Sequence, residues 1–254
     1  MIDLHSHILR GLDDGARSLE DSIAIAHAAL ADGISVIAGT PHVRDDWPTE
    51  ASVMEYRVAE LRAELAERQI PLDVVPGGEI AIEWLDRLSL EELQRFGLGG
   101  NPRYLLVETP YYGWPLGLVE RLFEVVDAGI TPVLAHPERN VEVQARPEQV
   151  ERLVDGGVLV QVTAASTDGR SGPQVRECAR LLIDEGLVHL LASDAHHASV
   201  RAVGMDAAAH SLGNGALAAW LTRGVPRAIL DDTPIPPRPP GGLPAPRPKR
   251  RFWG

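Results

Sequence analysis

A succession of short apolar segments, nearly every one leading into a histidine or a carboxylate, limits this chain more than any other feature. The polar residues are His5-Ser6-His7, Asp13-Asp14-Gly15, Thr40-Pro41-His42, Gly78-Glu79, Val107-Glu108, His136-Pro137-Glu138-Arg139 and Ser193-Asp194-Ala195-His196. The apolar segments, Met1–His5, Ser35–Ala38, Asp73–Pro76, Tyr104–Glu108, Thr131–Ala135, Leu159–Thr163 and His189–Ser193, are continuous rather than alternating. That is the pattern of parallel strands covered on both faces. Side chains at the exits of successive parallel strands can meet at one point although they lie far apart in sequence. The series therefore predicts a multinuclear metal site, and with it an enzyme.

Helical patterns separate the strands. Ser18-Leu19-Glu20-Asp21 reads as a capping box that starts the first helix. Its apolar positions Leu19, Ile23, Ala26 and Leu30 recur at helical spacing, and Gly33 marks its stop. Further helices are expected over 49–69, 90–96, 116–128, 147–155, 173–185 and about 202–212. Seven strands alternating with helices predict a single α/β domain over 1–233, a closed or nearly closed parallel barrel. The length, 254 residues, suits one such barrel, whose active site would lie at the C-terminal strand ends. Six of the seven strands lead into a candidate ligand; Leu159–Thr163 is the exception.

The end of the chain has a different composition. From Pro234 it carries five basic residues (Arg238, Arg247, Lys249, Arg250, Arg251), no acidic one, and many prolines. Residues 234–254 are expected to form a disordered or polyproline-like tail. The net charge of −12 less the tail's +5 leaves −17 for the body. So acidic a body argues against nucleic-acid binding, which needs a basic footprint. The single cysteine, Cys178, allows no internal disulfide, and no apolar run reaches spanning length. Because Asp3 and His5 belong to the first element, no signal peptide fits ahead of them. A soluble cytoplasmic protein is expected.

His5 and His7 lie two apart on a strand and project to the same side. Asp194 and His196 repeat that spacing at the last strand, which neighbours the first if the barrel closes. Glu79 and Glu108 stand at strand ends, where burial without a cation would be costly. With Asp14, His42, His136 and the doubtful Asp13, the candidates exceed what one metal needs, so two or three ions are implied. Histidine and carboxylate ligands without sulfur suit manganese, iron or zinc. His27, His189 and His210 are expected to be surface or packing residues, His197 is left unassigned, and Cys178 is expected to be a packed thiol. A cysteine phosphatase needs arginine six residues after the cysteine; Asp184 stands there. Arg139 and Arg201, the arginines nearest the ligands in sequence, match the bidentate geometry of phosphate and make a phosphate ester the leading substrate class.

With His5-Ser6-His7-Ile8-Leu9, Gly11-Leu12-Asp13-Asp14-Gly15, Ala38-Gly39-Thr40-Pro41-His42, His136-Pro137-Glu138-Arg139 and Ser193-Asp194-Ala195-His196 in order, the chain resembles the PHP superfamily of metal-dependent phosphoesterases. It is most similar to the superfamily's bacterial protein-tyrosine phosphatases encoded with capsular and exopolysaccharide genes. The resemblance spans roughly 1–215 and implies a distorted seven-stranded (β/α)7 barrel of TIM-like form. It implies a trinuclear site. One metal would be held by His5, His7, Glu79 and Asp194; a second by Glu79, Glu108 and His136; a third by Asp14, His42 and His196. It further implies manganese as the usual activating ion, phosphate contacts from Arg139 and Arg201, and a substrate on a membrane-associated polysaccharide kinase. Two positions depart from the family: Arg10 stands where proline is common, and His197 where asparagine is common. A small-molecule phosphatase, such as one for histidinol phosphate, is the alternative activity.

Overall fold

The computed structural model describes residues 1–199 and 201–243. Its strands are β1 (Ile2–Asp3), β2 (Val36–Gly39), β3 (His42–Arg44), β4 (Trp47–Pro48), β5 (Asp73–Pro76), β6 (Glu79–Ala81), β7 (Tyr104–Glu108), β8 (Thr131–Ala135), β9 (Leu159–Thr163) and β10 (Leu190–Ala192). All pairings are parallel except the short hairpin of β3 with β4. Where seven strands were expected, the described residues form ten, because the second and third expected strands each resume after a break and β4 is added by the hairpin. Pro41, lacking an N–H, interrupts the ladder between β2 and β3. Between β5 and β6 the break falls at Gly77-Gly78, and a side chain on Gly78 would collide with Phe96.

These breaks divide the parallel array into two sheets, β1-β2-β5 and β10-β9-β8-β7-β6-β3-β4, rather than one continuous ring. The first and last parallel segments meet just past β1 and β10. There Ser6 forms a parallel bridge with Ala195, Asp194 N–H donates to His5 O (2.9 Å), and His7 N–H donates to Ala195 O (2.8 Å). Ser6 also holds the second segment: Thr40 N–H donates to Ser6 O (2.8 Å), and the Ser6 hydroxyl donates to Ala38 O (2.6 Å). The strand exits that carry the polar series are thus drawn onto one end of the molecule.

The helices lie much as their apolar spacing predicts. Leu19–Ala31 starts on Ser18, whose hydroxyl accepts from Asp21 N–H while the Asp21 carboxylate accepts from Ser18 N–H. Its core face carries Ile23, Ile25, Ala26 and Ala29. Among the described residues, no helix is long and apolar enough to cross a membrane. Three α-helical regions were not anticipated: Val141–Ala145, Ala164–Asp168, and the run Gly215–Ala219, Trp220–Gly224 and Val225–Leu230, whose middle part is a π-turn.

Of the segment expected to be a tail, residues 234–243 are described, and they lie against the body. Arg238 donates to Ile183 O (2.6 Å) and Val188 O (3.1 Å), Trp220 Nε1 donates to Pro236 O (2.8 Å), and Leu243 N–H donates to the Asp184 carboxylate (2.8 Å). An arginine that donates to two backbone carbonyls, one of them in the last turn of the helix Pro173–Asp184, anchors a stretch with few apolar side chains. The remaining basic residues Arg247, Lys249, Arg250 and Arg251 lie outside the described residues.

Candidate metal centre

All nine predicted ligands come together. His5 and His7 follow β1, and Asp14 sits on the loop after them. His42 opens β3, Glu79 opens β6, and Glu108 closes β7. His136 follows β8, while Asp194 and His196 follow β10. Glu79 is the hub. One of its oxygens lies 2.9 Å from His42 Nδ1, 3.2 Å from His5 Nε2 and 3.3 Å from His7 Nε2; the other accepts from His136 Nε2 at 2.9 Å. Four overlapping sets have ligand atoms within 4.8 Å of one another: His7, Asp14, His42 and His196; His5, Glu79 and His136; His5, His7 and Asp194; and His42, Glu79 and Glu108. The implied third set thus gains His7, and His42 reaches both the Asp14 side and the Glu108 side.

Five of these ligand atoms, His5 Nε2, His7 Nε2, His42 Nδ1, His196 Nε2 and Glu79 Oε2, are buried in ion-pair contact with one another or with Asp14, but none makes a well-formed hydrogen bond. Buried polar atoms held only by such contacts are poorly satisfied, and cations bound among them would satisfy all five. The opposite ring nitrogens are already fixed. His7 Nδ1 bonds Asp13 at 2.6 Å, His5 Nδ1 bonds Gln161 at 3.0 Å, and His196 Nδ1 bonds Asp194 O at 2.9 Å. Outer partners of this kind set the tautomer and aim the free nitrogen at a metal. Asp13, doubtful as a ligand, therefore serves as a brace, and it also accepts from Gly15 N–H and His42 N–H. A side chain on Gly15 would strike the His7 backbone, so only glycine fits there.

The charges of the cluster are strongly interdependent. Burial disfavours charge on His5 and His42, yet neighbouring carboxylates together outweigh it, Glu79 with Asp194 at His5 and Glu79 with Asp14 at His42, and raise both, His42 to about 9. Burial likewise opposes ionising Glu79, but His5 and His42 hold it well below the usual carboxylate range. Asp14 is held low by bonds from His196 and His42, and Asp194, though buried, by His7 and His5. Glu108 goes the other way, raised by burial and by the neighbouring Glu79 charge. Burial and the neighbouring His7 lower His196. Protons on the imidazoles balance the carboxylates here, and divalent cations would take over that balance and displace them.

Both predicted arginines reach this cluster. Arg139 donates to Asp194 at 2.5 Å, and Arg201 donates to Asp194 at 3.1 Å and to Asp14 at 3.4 Å. Three site residues hold left-handed backbone: His136 (φ 33°), Asp194 (φ 52°) and Arg201 (φ 49°). Such conformations persist only where surrounding contacts impose them.

The sequence reading missed several contributors. Gln161 comes from β9, the strand without a ligand, and a neutral amide carries no metal signature. Arg44, two residues past His42, lies 3.3 Å from Glu108. Buried Glu138, within the noted His136–Arg139 motif, accepts from Thr163 N–H (2.9 Å) and the Ser166 hydroxyl (2.7 Å), locking the end of β9 in place. Asp3 ties the first strand to the last through Ser193 and is raised to about 6 by burial. The remaining histidines stay outside the cluster: His27 and His210 are exposed, and His189 packs on Trp220 while accepting from Val160 N–H. Cys178 is buried, and burial pushes its thiol up to about 12. Arg10, at the first family departure, is bound to Glu60 at 2.6 and 3.0 Å.

The family model for capsular polysaccharide synthesis, CpsB/CapC, matches residues 1–216. The tyrosine-protein phosphatase YwqE of Bacillus subtilis is 36% identical over 202 residues, covering 79% of each chain. The tyrosine-protein phosphatase CpsB of Streptococcus pneumoniae is 29% identical, covering 79% of this chain and 85% of its own. A crystal structure from work on YwqE and CpsB, described as unique metal-dependent tyrosine phosphatases, superposes with a TM-score of 0.85 at 32% identity. It covers 96% of this chain and 99% of that one.

Proposed function

The chain belongs to the CpsB/CapC family of capsular polysaccharide synthesis, and from that premise we propose that it is a metal-dependent protein-tyrosine phosphatase. The observation that carries the metal half of this reading is the set of five buried atoms on His5, His7, His42, His196 and Glu79 that converge without well-formed hydrogen bonds. In the proposed assignment the ligands are His5, His7, Asp14, His42, Glu79, Glu108, His136, Asp194 and His196, arranged for three ions with Glu79 shared. Manganese is the proposed metal, since oxygen and imidazole donors without sulfur suit it. Bound divalent ions would acidify a water and neutralise the phosphoryl oxygens.

The chain's own groups complete the proposed chemistry. Arg139 and Arg201, both held by Asp194, would grip the phosphoryl oxygens and stabilise charge as it builds in the transition state. Asp13 and Gln161 would keep His7 and His5 in one tautomer throughout turnover. Cys178, whose thiol is buried and pushed up to about 12, supplies no nucleophile. The proposed substrate is phosphotyrosine on a membrane-associated tyrosine kinase of polysaccharide biosynthesis. The names of the relatives and the family's role in capsule synthesis support it.

The test is an assay of manganese-loaded protein on a phosphotyrosyl peptide, histidinol phosphate and short single-stranded DNA, with and without chelator. Hydrolysis of the phosphotyrosyl peptide, lost with chelator and restored by manganese, is the expected result. Activity confined to histidinol phosphate would overturn the substrate, and chelator-resistant activity would overturn the metal.

A further inference from the structure

The loop between β7 and the helix Leu118–Asp127 carries an unusual exposure of large apolar side chains. Tyr112 is 80% exposed and Leu116 is 97% exposed, and Tyr111 and Val141 beside them are also open to solvent. Single exposed apolar residues are ordinary, but several on one short loop at the mouth of a site mark a contact surface.

The loop is fixed in place, and what fixes it is next to the chemistry. Buried Asn140 donates through its amide to Pro110 O (2.6 Å) and Gly113 O (2.8 Å), while Val141 N–H donates to Tyr111 O (3.0 Å). Asn140 directly follows Arg139, whose guanidinium lies 4.8 Å from the centre of the Tyr111 ring. A groove of about 500 Å³ runs from this loop alongside the metal centre, with Tyr111 and Tyr112 among its walls and Arg139, Arg170 and Arg201 along it. Positive charge along a groove with one aromatic wall complements an anion attached to an aromatic ring.

We propose that the loop 109–117 is the docking element for the polypeptide around a phosphotyrosine, with Tyr112 and Leu116 contacting residues beside the phosphorylated one. This rests on the phosphatase reading above and adds to it the surface that distinguishes a protein substrate from a small aryl phosphate. Tyr112 and Leu116 make none of the metal-centre contacts described above, so they act on substrate capture rather than on bond breaking.

The experiment uses the full chain loaded with manganese and compares Tyr112→Ala, Leu116→Ser and Tyr112→Phe with the parent. Two substrates are assayed, a phosphotyrosyl dodecapeptide and 4-nitrophenyl phosphate. Binding of a fluorescent peptide bearing a non-hydrolysable phosphonate is measured alongside. Tyr112→Ala and Leu116→Ser should each weaken peptide KM and phosphonate-peptide binding by about five- to tenfold, several times more than they change KM for the nitrophenyl ester. Tyr112→Phe, which keeps the ring, should restore peptide binding to within about twofold of the parent. Equal losses on both substrates, or no loss on either, would overturn the docking role. So would a change in oligomeric state on Leu116→Ser with peptide binding intact, which would assign the loop to self-association. A parent that hydrolyses the nitrophenyl ester but not the peptide would overturn the protein-tyrosine substrate on which this inference rests, a result distinct from the others.

Discussion

At the floor of the site, eight of the nine candidate ligands are buried, and the imidazoles of His5, His7 and His196 are each braced from behind. At the rim, a few residues away along the chain, Tyr112 and Leu116 stand in solvent on a loop held through its backbone by Asn140 and Val141. The floor is over-determined: moving one side chain unpairs several others. The rim can change residue by residue without disturbing what lies beneath it. A site divided in this way keeps its chemistry while its choice of substrate drifts.

That contrast can be broken most forcefully at Glu79. Glu79→Gln weakens the shared contact of four histidines, and turnover should fall by about 10³-fold or more together with metal content. A variant that retained full metal and activity would show that the floor is not built around this carboxylate. Next, Arg139→Ala and Arg201→Ala should each lower kcat by about 10²- to 10³-fold while leaving the metal-to-protein ratio unchanged. Loss of metal in either variant would move that arginine from substrate contact to ligand support.

Asp13→Asn should have a smaller effect, because it weakens a brace and removes no ligand. Metal affinity should fall by about 10- to 100-fold, and excess manganese should restore turnover. Failure of manganese to rescue would indicate a role beyond orienting His7.

The smallest effect belongs to a half-buried imidazole in neither region. His189, held down to about 4 by burial and by Arg238, binds fewer protons folded than unfolded. Its contribution is therefore present above its ordinary value near 6.5 and is lost as pH falls toward 4. Between those limits the parent should lose about 2 kcal/mol more stability than His189→Gln, measured by denaturant unfolding. Parallel stability curves would remove His189 from the acid sensitivity.

Much of this was legible in the chain itself. The segments 73–76, 104–108, 131–135 and 159–163 are strands at the bounds read from their apolar runs. Apart from Asp14, which sits on a loop, the candidate ligands stand just past an expected strand or at the break where it resumes, since an ionisable side chain there is costly to bury unless a cation or an opposite charge meets it. What stayed hidden has physical reasons. The break at Pro41 and Gly77-Gly78 depends on packing against Ser6 and Phe96, which no local pattern records. Gln161 looks like any strand residue until it faces His5. The helical run from Gly215 to Leu230 is punctuated by Gly224 and Pro226, which read as stops although the chain passes through them with a π-turn. The docked stretch 234–243 is composed like a free tail, yet it is held by hydrogen bonds to the body and by Ile235 and Leu243 packed against the core.

The most direct test of the central claim is a metal count. Protein stripped with chelator and titrated with manganese should bind two to three ions per chain and regain hydrolysis of a phosphotyrosyl peptide in step with that binding. A chain that takes up no manganese, or that cleaves the peptide equally well without it, would contradict the account.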